Sequence, residues 1–298
     1  MKMHIRLALL LLAAACASNE SRITPKDDPA AKVKIDNGAF RKKEKLSYTR
    51  ASDYYATGAG QGALADETAN RLSKAEAAEL AKVPDPMGAM MLACYRSEFK
   101  EGFALAEQLF DTHQNLPPYW NQVATCHLLQ GNERKALLFY NKAMEVAPGY
   151  VPALNNIGVI YSKTNQDQKA LVALEKALAG GSFTKTPRYN LAFLLLSHGL
   201  AKTAQTHFQA LLQDSPADAE LRAGHANALV LLARWDEAWQ EFNRVPDAQR
   251  RKPSVGLNMA LTAHRLGKTD AAKAILAQTD TARGAQAYAS EISRLLGE

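Results

Sequence analysis

The stretch PPYWNQVATCHLLQGNERKALLFYNKAMEVAPGY, residues 117–150, decides how this chain folds. Apolar residues recur at helical spacing on both sides of Gly131-Asn132, so it reads as two amphipathic helices joined by a tight break. Pro117-Pro118 opens the first helix and Pro148-Gly149 closes the second. The pattern returns every 34 residues, without insertion, in six segments that begin at Val83, Pro117, Val151, Lys185, Ala219 and Pro253. One column of the resulting alignment holds Gly102, Ala136, Ala170, Ala204, Ala238 and Ala272. A second, twelve residues earlier, holds Met90, Ala124, Gly158, Ala192, Ala226 and Ala260, small in five of the six. Side chains no larger than a methyl let paired helices cross closely, and repeating that crossing builds a stack rather than a globule.

Turn residues fall where this division needs them. Asn165-Gln166, His198-Gly199 and Gly267-Lys268 break other segments in the middle, and Gly180-Gly181, Ser215-Pro216 and Pro253 separate one segment from the next. Helix pairs of this period resemble tetratricopeptide repeats. The second unit carries Trp120, Val123, Ala124, Gly131, Ala136, Tyr140, Ala143 and Pro148 at the family's signature places, and the fourth keeps Leu191, Ala192, Leu195, Ala204, Phe208 and Pro216. The fifth departs, with Arg222 where Trp is usual and Arg250 where Pro is usual, and the first has Pro86 and Gly102. The resemblance implies an all-α fold, a right-handed α-solenoid of six helix pairs over 83–116, 117–150, 151–184, 185–218, 219–252 and 253–284. After it, Ala285, Tyr288, Ala289, Ile292, Leu295 and Leu296 recur opposite Arg283, Glu291, Arg294 and Glu298, which reads as a polar-backed capping helix over 285–298.

Composition agrees with helical repeats. Many Ala and Leu residues accompany an aromatic share of only 7%. The formal charge of +6 is a mild excess, without the dense basic stripe that nucleic-acid binding leaves.

At the N-terminus, Lys2, His4 and Arg6 precede the apolar run Leu7 to Ala15, too short to span a bilayer and suited to an export signal over residues 1–15. Ala13-Ala14-Ala15-Cys16 resembles the bacterial lipobox, with Ala13 where Leu is preferred, and this implies that Cys16 becomes the acylated N-terminal residue. An ordinary signal peptide beside a chance cysteine is the alternative. Ala17 follows in place of the aspartate that retains such proteins in the inner membrane, so the resemblance implies an outer-membrane anchor facing the periplasm. Each buried acyl methylene adds about 0.8 kcal/mol, which holds a protein without a transmembrane helix.

Residues 16–62 read as a lipidated tether, rich in charge and carrying Pro25 and Pro29. About 40 flexible residues reach on the order of 35 Å. The cluster Arg41, Lys42, Lys43 and Lys45 reads as a solvated charge run. Gly58-Ala59-Gly60-Gln61-Gly62 lacks the spacing and the preceding strand of a nucleotide loop and reads as a joint. Residues 63–82 read as a helical extension that opens a capping box at Ser73-Lys74-Ala75-Glu76.

Cys94 and Cys126 lie late in the first helices of neighbouring units. They read as buried thiols, and an exported protein leaves a disulfide open. No metal-binding or nucleophile motif occurs, so the chain reads as a non-enzyme without a cofactor. Trp235 and Trp239, four residues apart, read as core, as does His225.

In tetratricopeptide proteins the first helix of each pair lines a concave groove. Carried onto this chain, the groove positions are Met87, Met91, Tyr95, Asn121, Thr125, Asn155, Val159, Tyr189, Phe193, Asn227, Leu257, Leu261 and Arg265. Met and aromatic side chains suit apolar pockets, and Asn amides suit a peptide backbone. The clamp with which chaperone-binding members hold a C-terminal carboxylate is not supported, because its places hold Asn121, Thr125, Asn155 and Val159. Anchor, tether and repeats together resemble pilotin and tight-adherence pilus lipoproteins. That resemblance implies an adaptor that binds an envelope protein or peptide and assists assembly of a pilus or secretion complex, with regulation of cell-wall enzymes as the alternative.

Overall fold

The computed structural model describes residues 23–24, 34–35, 86–180, 184–281 and 285–297. The export signal, Cys16, the extension over 63–82 and nearly all of the tether lie outside these residues. Inside the stretch read as a tether, β1 (Ile23–Thr24) pairs antiparallel with β2 (Lys34–Ile35).

The other described residues form helices and the turns that join them. The first helices of the pairs are α1 (Pro86–Tyr95), α3 (Pro117–Leu129), α5 (Val151–Lys163), α7 (Lys185–Ser197), α9 (Ala219–Leu231) and α12 (Pro253–Arg265). The second helices are α2 (Phe99–His113), α4 (Glu133–Val146), α6 (Asp167–Leu178), α8 (Ala201–Asp214), α10 (Trp235–Asn243) and α13 (Thr269–Gln278). A one-turn helix, α11 (Asp247–Arg250), follows α10, and α14 (Gln286–Leu295) follows the last pair. From Pro117 onward the first helices begin at residues 117, 151, 185, 219 and 253, and all six second helices begin 34 residues apart, so the all-α repeat read from the columns is the fold.

Each pair turns through the same left-handed residue. Ser97, Gly131, Asn165, Gly199, Ala233 and Gly267 all have φ between 56° and 88°. In every pair the amide that follows this residue donates to a carbonyl five residues back: Glu98 to Ala93, Asn132 to His127, Gln166 to Tyr161, Leu200 to Leu195, Arg234 to Leu229 and Lys268 to Ala263. This is the Schellman closure, which satisfies the carbonyls at the end of the first helix and aims the chain into the second.

Both small columns are buried, with the alanines of the second-helix column at 0% exposure. Gly102 stands where the other units have Ala because a Cβ there would lie 2.4 Å from Cys94 Sγ. That sulfur is not a thiol. Cys94 and Cys126 form a disulfide, with Cα atoms 5.2 Å apart, and this overturns the reading of two buried thiols. The cause is the packing of α1 beside α3, which brings both Cys positions within bridging reach.

The fifth pair explains its own departures. Arg222 forms a half-buried ion pair with Glu241 at 2.7 Å and donates to the Pro216 carbonyl. Arg250 donates to the carbonyls of Val245 and Asn243, both at 2.6 Å, and so caps the shortened α10. Two arginines thus take up with hydrogen bonds the places that Trp and Pro hold elsewhere.

The helices form two compact units that divide within α7, one up to Asn190 and one from Leu191 onward. In the second unit the core gathers Phe242, Val245, Val255, Met259, Tyr288 and Ile292, with Trp235 and Trp239 packed partly buried against it. Burying one such large side chain contributes about 1.5 to 3 kcal/mol, and the sum is spread along the array rather than concentrated in one centre.

Candidate functional site

The groove positions named from the repeats are mostly interior. Met91, Asn121, Thr125, Asn155, Val159, Tyr189, Phe193, Asn227, Leu257 and Leu261 are buried, whereas Met87, Tyr95 and Arg265 are half-buried. Phe193 meets Phe208 edge-on at 5.0 Å. The Arg265 guanidinium lies 5.9 Å over the Trp235 ring, and Lys268 caps the Trp239 ring at 6.0 Å.

What the structure brings together is a set of amides. In the first unit Asn190 Nδ2 donates to Asn155 Oδ1 at 2.8 Å, Asn155 Nδ2 to Asn156 Oδ1 at 3.1 Å, and Asn156 Nδ2 to Asn121 Oδ1 at 3.5 Å. The ladder runs across three successive first helices, α3, α5 and α7. In the second unit Asn258 Nδ2 donates to Asn227 Oδ1 at 2.9 Å, and the Tyr288 hydroxyl donates to Asn258 Oδ1 at 2.8 Å. Asn227 Nδ2 donates to the Ser254 carbonyl at 3.0 Å. An Asn amide has two donors and an acceptor oxygen with two lone pairs, so it bonds sideways to the next repeat and keeps further capacity. Burial raises the Tyr288 phenol far above its ordinary range, which keeps it a neutral donor.

Asn156, Asn190 and Asn258 were missed as polar positions by the groove assignment. Their signal was present, because they fall 34 residues apart, or a multiple of 34, in the column that also holds Gln122. Thr125 donates to the Asn121 carbonyl at 2.9 Å, and Tyr140 donates in turn to the Thr125 hydroxyl at 3.0 Å. Two of the named positions are thus joined within α3.

A second constellation is aromatic. His127 lies between Phe103 and Phe139, with centroids 4.5 and 5.1 Å away, and Trp120 stacks on Phe139 at 5.9 Å and meets Phe110 edge-on at 6.1 Å. Burial first, and then Lys135, holds the His127 imidazole below its ordinary value, so it packs as a neutral ring. His225 is held neutral chiefly by burial. Among the described residues no three His, Cys, Asp or Glu side chains converge as a metal set, and no helix is long and apolar enough to cross a membrane.

Comparison with known proteins agrees with this geometry. Family models of the tetratricopeptide repeat match residues 151–179 and residues 195–256. These segments are tetratricopeptide repeats. No curated protein matches the sequence significantly. Among solved structures, PilF of Pseudomonas aeruginosa is 14% identical with a TM-score of 0.61, the alignment covering 73% of this chain and 98% of that one. YrrB, a tetratricopeptide protein with an unusual peptide-binding site, is 20% identical with a TM-score of 0.55, covering 63% and 97%. PilW, a type IV pilus biogenesis factor, is 17% identical with a TM-score of 0.55, covering 65% and 90%. At these identities the likeness is one of fold.

Proposed function

We propose that this chain is a membrane-anchored tetratricopeptide adaptor that holds an envelope protein or peptide and assists assembly of a pilus or secretion complex. The observation that carries the reading is an array of tetratricopeptide helix pairs placed behind an export-type N-terminus that ends at Cys16. Two further facts support it. The Cys94–Cys126 disulfide suits an oxidising compartment outside the cytoplasm. PilF and PilW share the fold, and PilW is described as a pilus biogenesis factor.

On this reading the first helices supply the binding surface, with Met87, Tyr95 and Arg265 reaching it and the buried amide ladders fixing the spacing of the helices that present it. A scaffold of this kind needs no catalytic residue, cofactor or metal. The acyl groups on Cys16 hold it at the outer membrane, facing the periplasm. The test has two arms. Cys16→Ser should abolish labelling by a fatty-acid analogue and release the chain from membranes. A photo-crosslinker at Tyr95 or Arg265 in living cells should recover a pilus, secretin or other assembly component. Persistent labelling removes the anchor, and recovery of cell-wall enzymes alone replaces the assembly role with a regulatory one.

A further inference from the structure

Four large apolar side chains stand exposed among the described residues: Phe110 at 40%, Leu116 at 46%, Leu138 at 64% and Val172 at 43%. All four belong to the first compact unit. Scattered exposed apolar residues need no explanation, but Phe110 belongs to a cluster of rings that reaches from α2 to α4. Phe110 on α2 meets Trp120 on α3, Trp120 stacks on Phe139 of α4, and Leu138 precedes Phe139 in the chain. Leu116 leads into α3, and its carbonyl accepts from the Tyr119 amide. Val172 holds on α6 the position that Leu138 holds on α4.

Charge is divided across this face. Glu107 and Asp111 flank Phe110 on α2, all three exposed. Arg134 and Lys135, one turn before Leu138 on α4, are also exposed. None of these four charged groups takes part in an ion pair within the described residues. Farther along α4, Lys142 already pairs with Glu145 at 2.7 Å. The face therefore has an acidic edge on one helix, a basic edge on another and aromatic rings between them.

We infer that this face docks a second copy of the chain about a two-fold axis. A two-fold contact brings one patch against itself, so the patch must carry both halves of every complementary pair. Rotation about an axis through the Phe110–Trp120–Phe139 rings sets Glu107 and Asp111 of one copy against Arg134 and Lys135 of the other, twice over. The apolar side chains between them leave water together. The acidic and basic edges fix the register and disfavour other pairings. The inference uses none of the first-helix binding surface, so it stands or falls apart from the adaptor reading.

The test is sedimentation of the full chain in density-matched detergent at concentrations up to about 100 µM, a range that captures micromolar association. The unaltered chain should be dimeric at the upper end. Leu138→Glu should weaken association at least tenfold. Glu107→Lys with Asp111→Lys should be monomeric, and so should Arg134→Glu with Lys135→Glu, because each places like charges opposite themselves. An equimolar mixture of these two double variants should dimerise again, since every facing pair is then of opposite sign. Variants are compared only where their circular dichroism and melting match the unaltered chain. A chain that stays monomeric at the highest concentration, variants that dimerise unchanged, or a mixture that fails to reassociate would each overturn the inference.

Discussion

At the scale of single residues, the turn inside each pair makes one demand, a left-handed backbone. Gly131, Gly199 and Gly267 meet it without a Cβ, and Asn165 meets it as a residue that tolerates this region. Ala233, at φ 56°, has no such tolerance. A left-handed non-glycine residue costs about 1 to 2 kcal/mol, while glycine gives back part of that through its freer unfolded chain. Ala233→Gly should therefore stabilise the chain by about 0.5 to 1 kcal/mol, read as a higher urea midpoint at unchanged slope. Gly131→Ala should lose a similar amount. A lower midpoint for Ala233→Gly would contradict the shared Schellman geometry. These turns were legible in the sequence where Gly or Asn marked them. Ser97 and Ala233 gave no local signal, and only their phase in the repeat placed them.

At the scale of helices, the close crossings were legible because contact distance limits side-chain size, and a limit repeated six times becomes a column. The amide ladders were half legible. Their column shows in the alignment, but whether an Asn faces a ligand or the next helix depends on rotation about the helix axis by a fraction of a turn. The disulfide was not legible, since no spacing rule gives a 5.2 Å Cα separation. The aligned helices also bury His225 on α9, where neither ring nitrogen has a hydrogen-bond partner. Burial lowers its pKa first; Arg234 and Arg222 add to that, while Glu241 and Glu237 oppose it. His127 on α3 is shifted in the same direction. A group whose folded pKa is depressed binds fewer protons in the folded state than in the unfolded one between the two values. Its stabilisation is complete above the unfolded value of about 6.5 and is lost as pH falls through the window below it. Melting temperature should therefore drop between about pH 7.5 and pH 5.5, and His225→Leu should flatten that drop while keeping the site packed. Equal pH slopes for the two proteins would remove His225 as the cause.

At the scale of the whole molecule, a repeat array has no single core, so each pair is stabilised by its own burial and by its immediate neighbours. Opening then begins where neighbours are fewest or interfaces weakest. The pair α1 and α2 is the first among the described residues. The Cys94–Cys126 disulfide ties α1 to α3, closing a loop with a sequence separation of 32. The chain-entropy model assigns such a loop about 3 to 4 kcal/mol. Cys94→Ala with Cys126→Ala should therefore raise amide exchange strongly over α1 and α2, modestly over α3 and α4, and little beyond Lys185. Gly102 sharpens the argument, because it is glycine only to leave room for the sulfur. In the disulfide-bonded chain Gly102→Ala should cost about 1 to 3 kcal/mol as overpacking. With both cysteines replaced by Ala, the same change should stabilise the helix by about 0.5 to 1 kcal/mol, since alanine is the better helix former and the space is open. That reversal of sign is a coupling that a double-mutant cycle measures directly. Additive effects would mean that the glycine and the bridge are independent.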